Sequence, residues 1–215
     1  MEGLLFTFLF RVPAILIALT VHEFAHGWVA MKLGDDTAKR MGRLTLNPLS
    51  HLDLFGTVML LFGPFGWAKP VPVNFVRLGN PKRDMIWVAL AGPMSNILFG
   101  WLFSTVYLNL FHGHVSGYAQ LFFVYLIMIN IGLSFFNLLP LPPLDGSNIV
   151  RGFLSQEKEF RFMHAMRFVP MIFIALLSIE WIFKFPAFSY LLNPLWSPYQ
   201  RLLLEFYGMK ALLGS

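Results

Sequence analysis

The sequence predicts an α-helical integral membrane protein with about four transmembrane helices, a re-entrant segment and a small β-hairpin or ribbon. Three observations carry that prediction. Of the 215 residues, 57% are hydrophobic and only 13% charged, against about a quarter charged in an ordinary soluble domain. Apolar runs long enough to cross a bilayer recur along the chain. The connectors between them hold most of the Lys and Arg residues. A net charge of +5 then reads as contact with anionic lipid headgroups. No basic tract with interleaved aromatics occurs, so no nucleic-acid partner is expected.

The first apolar run extends from Leu4 to about Leu33, with Pro13 as a kink or the start of its main part. From Pro13 to Leu33 a helix covers about 30 Å, one bilayer core. The run lacks a basic segment before it and a small-residue cleavage site before His22, so it is expected to stay in the mature protein. Gly34-Asp35-Asp36 ends it, and residues 34–51 are polar and basic. Residues 54–66 are apolar but too few to span, and Gly56, Gly63, Pro64 and Gly66 punctuate them. That pattern predicts a re-entrant or surface segment.

Residues 67–78 alternate in part, and Pro70 and Pro72 exclude a central strand but allow an edge. Met85–Phe111 and Gly117–Leu138 read as spans, the second stopped by Pro140, Pro142 and Pro143. A charged amphipathic stretch from Arg151 to Arg167 precedes a last span, Phe168–Phe185. Residues 1–187 are therefore expected to form one membrane-embedded domain with its motif-bearing core at about 14–155. Residues 188–215 read as an interfacial amphipathic tail. The basic segments 32–43, 69–83 and 151–167 predict the cytoplasmic side, so the first helix runs from outside to inside.

With no cysteine in the chain, disulfides, thiolate metal sites and a cysteine nucleophile are excluded. Any metal must be held by His, Asp or Glu. His22-Glu23-Phe24-Ala25-His26 is an H-E-x-x-H pattern within an apolar helix. Histidines four apart share one helical face and can hold one ion, while the adjacent Glu can act as general base on a water there. The alternative is a pair of buried structural histidines. Three ionisable groups in five residues are expensive in lipid, which favours the functional reading.

A catalytic zinc site has three protein ligands and one open position. Asp145, after the proline-broken segment 137–146, fits as the third ligand, with Asp53, Asp84 and Glu180 as rivals. Asp53 and Asp84 suit capping, and Glu180 suits an ion pair with Lys184. The active site is expected toward the cytoplasm, about 10–16 Å from the Leu33 end of the first helix. His51 is expected to stabilise its own turn and His164 to lie at the headgroups. His112 and His114 are expected to be solvated in an external turn.

HEFAH at 22–26, AGPMSN at 91–96 and NLLPLPPLDG at 137–146 resemble, in order, the site-2 protease family of intramembrane zinc metalloproteases. GRLTLNPLSHLDLFGT (42–57) and GWAKPVPVN (66–74) resemble its compact branch without a PDZ domain. The resemblance covers about residues 14–155. It implies one Zn2+ per chain on His22, His26 and Asp145, with Glu23 as catalytic base. It also implies that Asn96 holds a substrate strand or polarises the scissile carbonyl, against the alternative of an interhelical hydrogen bond. Asn137 is a weaker candidate for the same role, or a helix cap. The expected partners are transmembrane protein substrates and the lipid bilayer, in a prokaryotic cell membrane, with the 67–77 ribbon pairing to unwound substrate. The rival reading is a metal transporter or a non-catalytic metal-binding membrane protein. Against it stand Glu23 beside the first His and the absence of repeated halves.

Overall fold

The computed structural model describes residues 7–62, 66–111 and 117–209. A π-helical turn, Thr7–Arg11, leads into α1, Val12–Lys32. Pro13 lies in the first turn of α1, where its missing N–H removes no helical hydrogen bond. Gly34, at φ +111°, turns the chain out of the helix. The Leu33 carbonyl then accepts from Gly79 N at 3.1 Å. That bond draws the end of α1 to the start of α3, Pro81–Val106.

Helix α2, Leu54–Phe62, lies between them. The α3 N-terminus is fixed reciprocally: Asn80 accepts from Arg83 N, and Asp84 accepts from Asn80 N at 2.7 Å. After a π-helical turn, Tyr107–Phe111, come α4 (Tyr118–Leu138), α5 (Asp145–Phe153), α6 (Gln156–Ala165), α7 (Val169–Phe183) and α8 (Ala187–Phe206).

Among the described residues, four helical stretches are long and apolar enough to cross a membrane: Phe8–Lys32, Pro81–Asn109, Tyr118–Leu138 and Gln156–Phe183. Helix α3 is the hub and packs on α1, α4 and α5. Large apolar side chains such as Trp28, Trp87, Leu98, Trp101 and Ile182 face outward, as lipid contact requires. The chain is an integral membrane protein.

Several sequence expectations are corrected here. Among the described residues there is no strand, and the ribbon reduces to one antiparallel bridge, Leu52 to Ala68. Pro70 and Pro72 deny the segment donors that a ladder needs, and side chains take several of its other polar groups. No irregular re-entrant loop forms over 54–62. Asp53 Oδ1 accepts from Gly56 N at 2.8 Å and starts a regular helix. The charged helix α6 precedes the apolar α7, close to the expected last span.

Helix α8 and the residues after it pack on α3 and α4. Leu203, Leu204 and Tyr207 are buried with Ile127 and Ile131 of α4, and the Tyr207 hydroxyl donates to Ile97 O across Gly100. Glu180 forms no ion pair with Lys184 but accepts from Phe188 N, Ser189 N and the Ser189 hydroxyl. It therefore caps α8.

Candidate active site

Helix α1 presents His22 and His26 toward α3 on one face, four residues apart. Helix α5 begins at Asp145, directly after the proline-rich bend that ends α4. The bend is tight: a Cβ on Gly146 would run into the carbonyls of Leu138 and Leu139. Glycine there brings the α5 N-terminus, and Asp145 with it, under the histidines.

His22 Nε2 and His26 Nε2 lie 3.0 Å apart, and Asp145 Oδ2 lies 3.1 and 3.2 Å from them. Their outer nitrogens fix the tautomers. His22 Nδ1–H donates to Asn96 Oδ1, and His26 Nδ1–H donates to the Val88 carbonyl, each at 2.7 Å. In neutral imidazoles held this way, both Nε2 atoms present lone pairs. Asp145 Oδ2 is buried without a hydrogen-bond donor. Three potential ligand atoms thus converge, a donor set that a cation satisfies.

Zinc fits this set. Tetrahedral nitrogen and oxygen ligands at about 2.0–2.2 Å stand about 3.3–3.6 Å from one another. The observed triangle is within a few tenths of an ångström of that. These three residues are the one His/Asp/Glu cluster of this kind among the described residues.

A cavity of about 320 Å³ opens beside the triangle, lined by His22, Glu23, His26, Val71, Asn137 and Asp145 among others. Glu23 Oε2 accepts from Val71 N at 2.7 Å. Val71 belongs to the extended segment 67–74, which three side chains hold. Arg43 donates to the carbonyls of Lys69 and Pro70. Glu23 takes the Val71 amide, and the buried Asp35 takes Asn74 N at 2.6 Å.

The sequence profile of peptidase family M50 matches residues 111–178, which contain Asp145. "Putative zinc metalloprotease YwhC" of Bacillus subtilis (strain 168) is 38% identical over 194 residues, 86% of this chain and 85% of its own. The chain belongs to peptidase family M50. "Stage IV sporulation protein FB" of the same organism is 27% identical over 184 residues, 78% of this chain and 58% of its own. No solved structure matches the chain. As an M50 peptidase the chain is an intramembrane zinc metalloprotease, of the site-2 protease type and with no PDZ domain found.

The remaining sequence candidates separate cleanly. Asp53 and Asp84 cap helices, as weighed. His51 is buried and hydrogen-bonds the Thr45 carbonyl in its own turn. His164 stacks on Phe160. His112 and His114 lie outside the described residues. Asn137 lines the cavity. Asn96 is completely buried, and its amide is fully occupied by His22, Ala18 O and Asn130 Oδ1. Both of its N–H groups are committed, and it makes the interhelical hydrogen bonds that the alternative reading expects.

Sequence reasoning missed Gly92, Asn130 and Val71. Gly92 packs directly against both imidazoles, and the AGP pattern before Asn96 was its signal. Val71 acts through its backbone, which its side-chain identity does not announce.

Proposed function

We propose that this M50 peptidase hydrolyses peptide bonds within or near transmembrane segments of membrane-protein substrates. In this reading His22, His26 and Asp145 hold zinc, and Glu23 is the general base. The observation that carries it is the convergence of two imidazole Nε2 atoms and a carboxylate oxygen without a hydrogen-bond donor beside Glu23 in one cavity.

When bound, the zinc ion polarises a carbonyl and acidifies water in its open position. The chain's own residues supply the rest. The Val71 amide holds one oxygen of Glu23, which leaves the other to take a proton from the attacking water. The same oxygen then gives that proton to the leaving amine. Asn96 and Val88 O orient the two imidazoles so that neither rotates away from the site. Asn137, on the cavity wall, is the better placed of the two asparagines to meet the substrate backbone. Val71 and its neighbours form the wall along which an unwound segment lies.

The basic ends of α1, α3, α5 and α6 meet through Arg77 with Asp36 and through Lys82 and Arg151 with Glu159. By the Lys/Arg rule that end is cytoplasmic, in a prokaryotic cell membrane, with the cavity opening toward it.

The test is Glu23→Gln, which keeps side-chain size and removes the base. Zinc content should be unchanged while cleavage of a single-span substrate in liposomes falls about 10²–10⁴-fold. Near-normal cleavage by this variant would sink the mechanism.

A further inference from the structure

Asn130, in the middle of α4, is completely buried and takes no part in the chemistry above. A buried amide within a membrane-spanning helix needs partners, and those of Asn130 form an ordered series. Its Nδ2 donates to the Leu126 carbonyl at 2.7 Å, one turn earlier on its own helix. That bond dictates which way the amide faces, because a carbonyl accepts only from the nitrogen end. Asn130 Oδ1 is thereby turned to α3, where it accepts from Asn96 Nδ2 at 2.9 Å. The second N–H of Asn96 goes to Ala18 O on α1 at 3.0 Å. With both N–H groups committed, Asn96 can turn only its oxygen to His22, and that oxygen accepts the Nδ1 proton at 2.7 Å. In the neutral imidazole, a proton on Nδ1 leaves Nε2 bare.

We propose that Asn130 is a positioning residue of the metal site. By fixing the facing of the Asn96 amide it fixes the tautomer and ring orientation of His22, and it ties α4 to the ligand helix α1 through α3. The inference rests on the reading of His22 as a zinc ligand. Outer-shell partners of this kind typically change metal affinity by about 10–100-fold.

The experiment measures zinc retained by the purified full-length protein, loaded with zinc and challenged with graded chelator. The variants are Asn130→Leu, Asn96→Leu and the double substitution. Asn130→Ser, a shorter polar side chain, serves should the leucine variant fail to fold. Ser134→Ala is the control: it removes a bond from the same helix to the Tyr199 hydroxyl, 2.8 Å long, that touches neither Asn96 nor the metal ligands. His22→Ala gauges the reading beneath.

Asn130→Leu or Asn130→Ser should weaken zinc retention about 10–100-fold, with Ser134→Ala close to wild type. The double substitution should be no worse than Asn96→Leu alone, because Asn130 acts through Asn96. Zinc affinity within twofold of wild type in both Asn130 variants, an equal loss in Ser134→Ala, or additive losses in the double substitution would each overturn the proposal. Zinc retained by His22→Ala would overturn the metal-site reading itself, and this inference with it.

Discussion

Replacing Gly92 by alanine adds one methyl group at the point where α3 touches the two imidazoles. The Cβ would stand 2.6 Å from both Cε1 and Nε2 of His22, and closer still to His26 Nε2. Ordinary van der Waals contact begins at about 3.4 Å, so at least about 0.8 Å must be recovered. The rings cannot swing aside cheaply, because their Nδ1 atoms are held at 2.7 Å by Asn96 and Val88. The helices must part, or an imidazole must give up its bond.

Overpacking of this kind costs about 1–3 kcal/mol, and a displacement near 1 Å at reacting groups costs about 10²-fold in rate. Gly92→Ala should therefore lose zinc under mild chelation and cleave a membrane-embedded substrate at least about 10²-fold more slowly. Gly132→Ala on α4 is the matched control. The nearest atom to its Cβ is 4.0 Å away, and alanine is the better helix former. Metal analysis and a cleavage assay on the two variants decide the matter. Gly92→Ala with wild-type zinc content and rate would refute the close-contact reasoning.

Two further outcomes are expected. Asp145→Ala should lose most of its zinc, since it removes one corner of the triangle and leaves two imidazoles; unchanged metal content with normal activity would remove Asp145 from the site. With no native cysteine in the chain, a single cysteine at Arg40 can report sidedness. It should react with impermeant reagent only from the cytoplasmic face, and labelling from outside would reverse the orientation.

The pairing of the two histidines was legible because histidines at i and i+4 must share a helical face. Asp145 stood among rivals on chemistry alone, and the resemblance of 137–146 to the family's motif is what singled it out. The span-forming runs were legible because hydrocarbon thickness translates directly into residue count. The errors fall where long-range partners decide. Nothing local to 188–206 says that Tyr207 reaches Ile97 O or that Glu180 caps the incoming helix. Helical spacing offered Lys184 as the partner of Glu180, but Lys184 leaves α7 in the left-handed conformation, and two backbone amides of α8 take its place. Asn130 carried no motif that a single sequence exposes. Its role exists only where three helices meet.

The misread ribbon is instructive in another way. A strand presents N–H groups alternately to its two sides. In 67–74 the donors at 69 and 71 face the protein, on the His51 carbonyl and the Glu23 carboxylate. The donors that would face the other way, at 70 and 72, are prolines. Arg43 also takes the carbonyls of Lys69 and Pro70, so several of the segment's polar groups are already held within the protein. The Val71 amide is held by Glu23, and both residues line the cavity. A peptide pairing there would have to meet the Val71 N–H in competition with the Glu23 carboxylate, so occupancy of the wall and freedom of the base are coupled through one backbone atom.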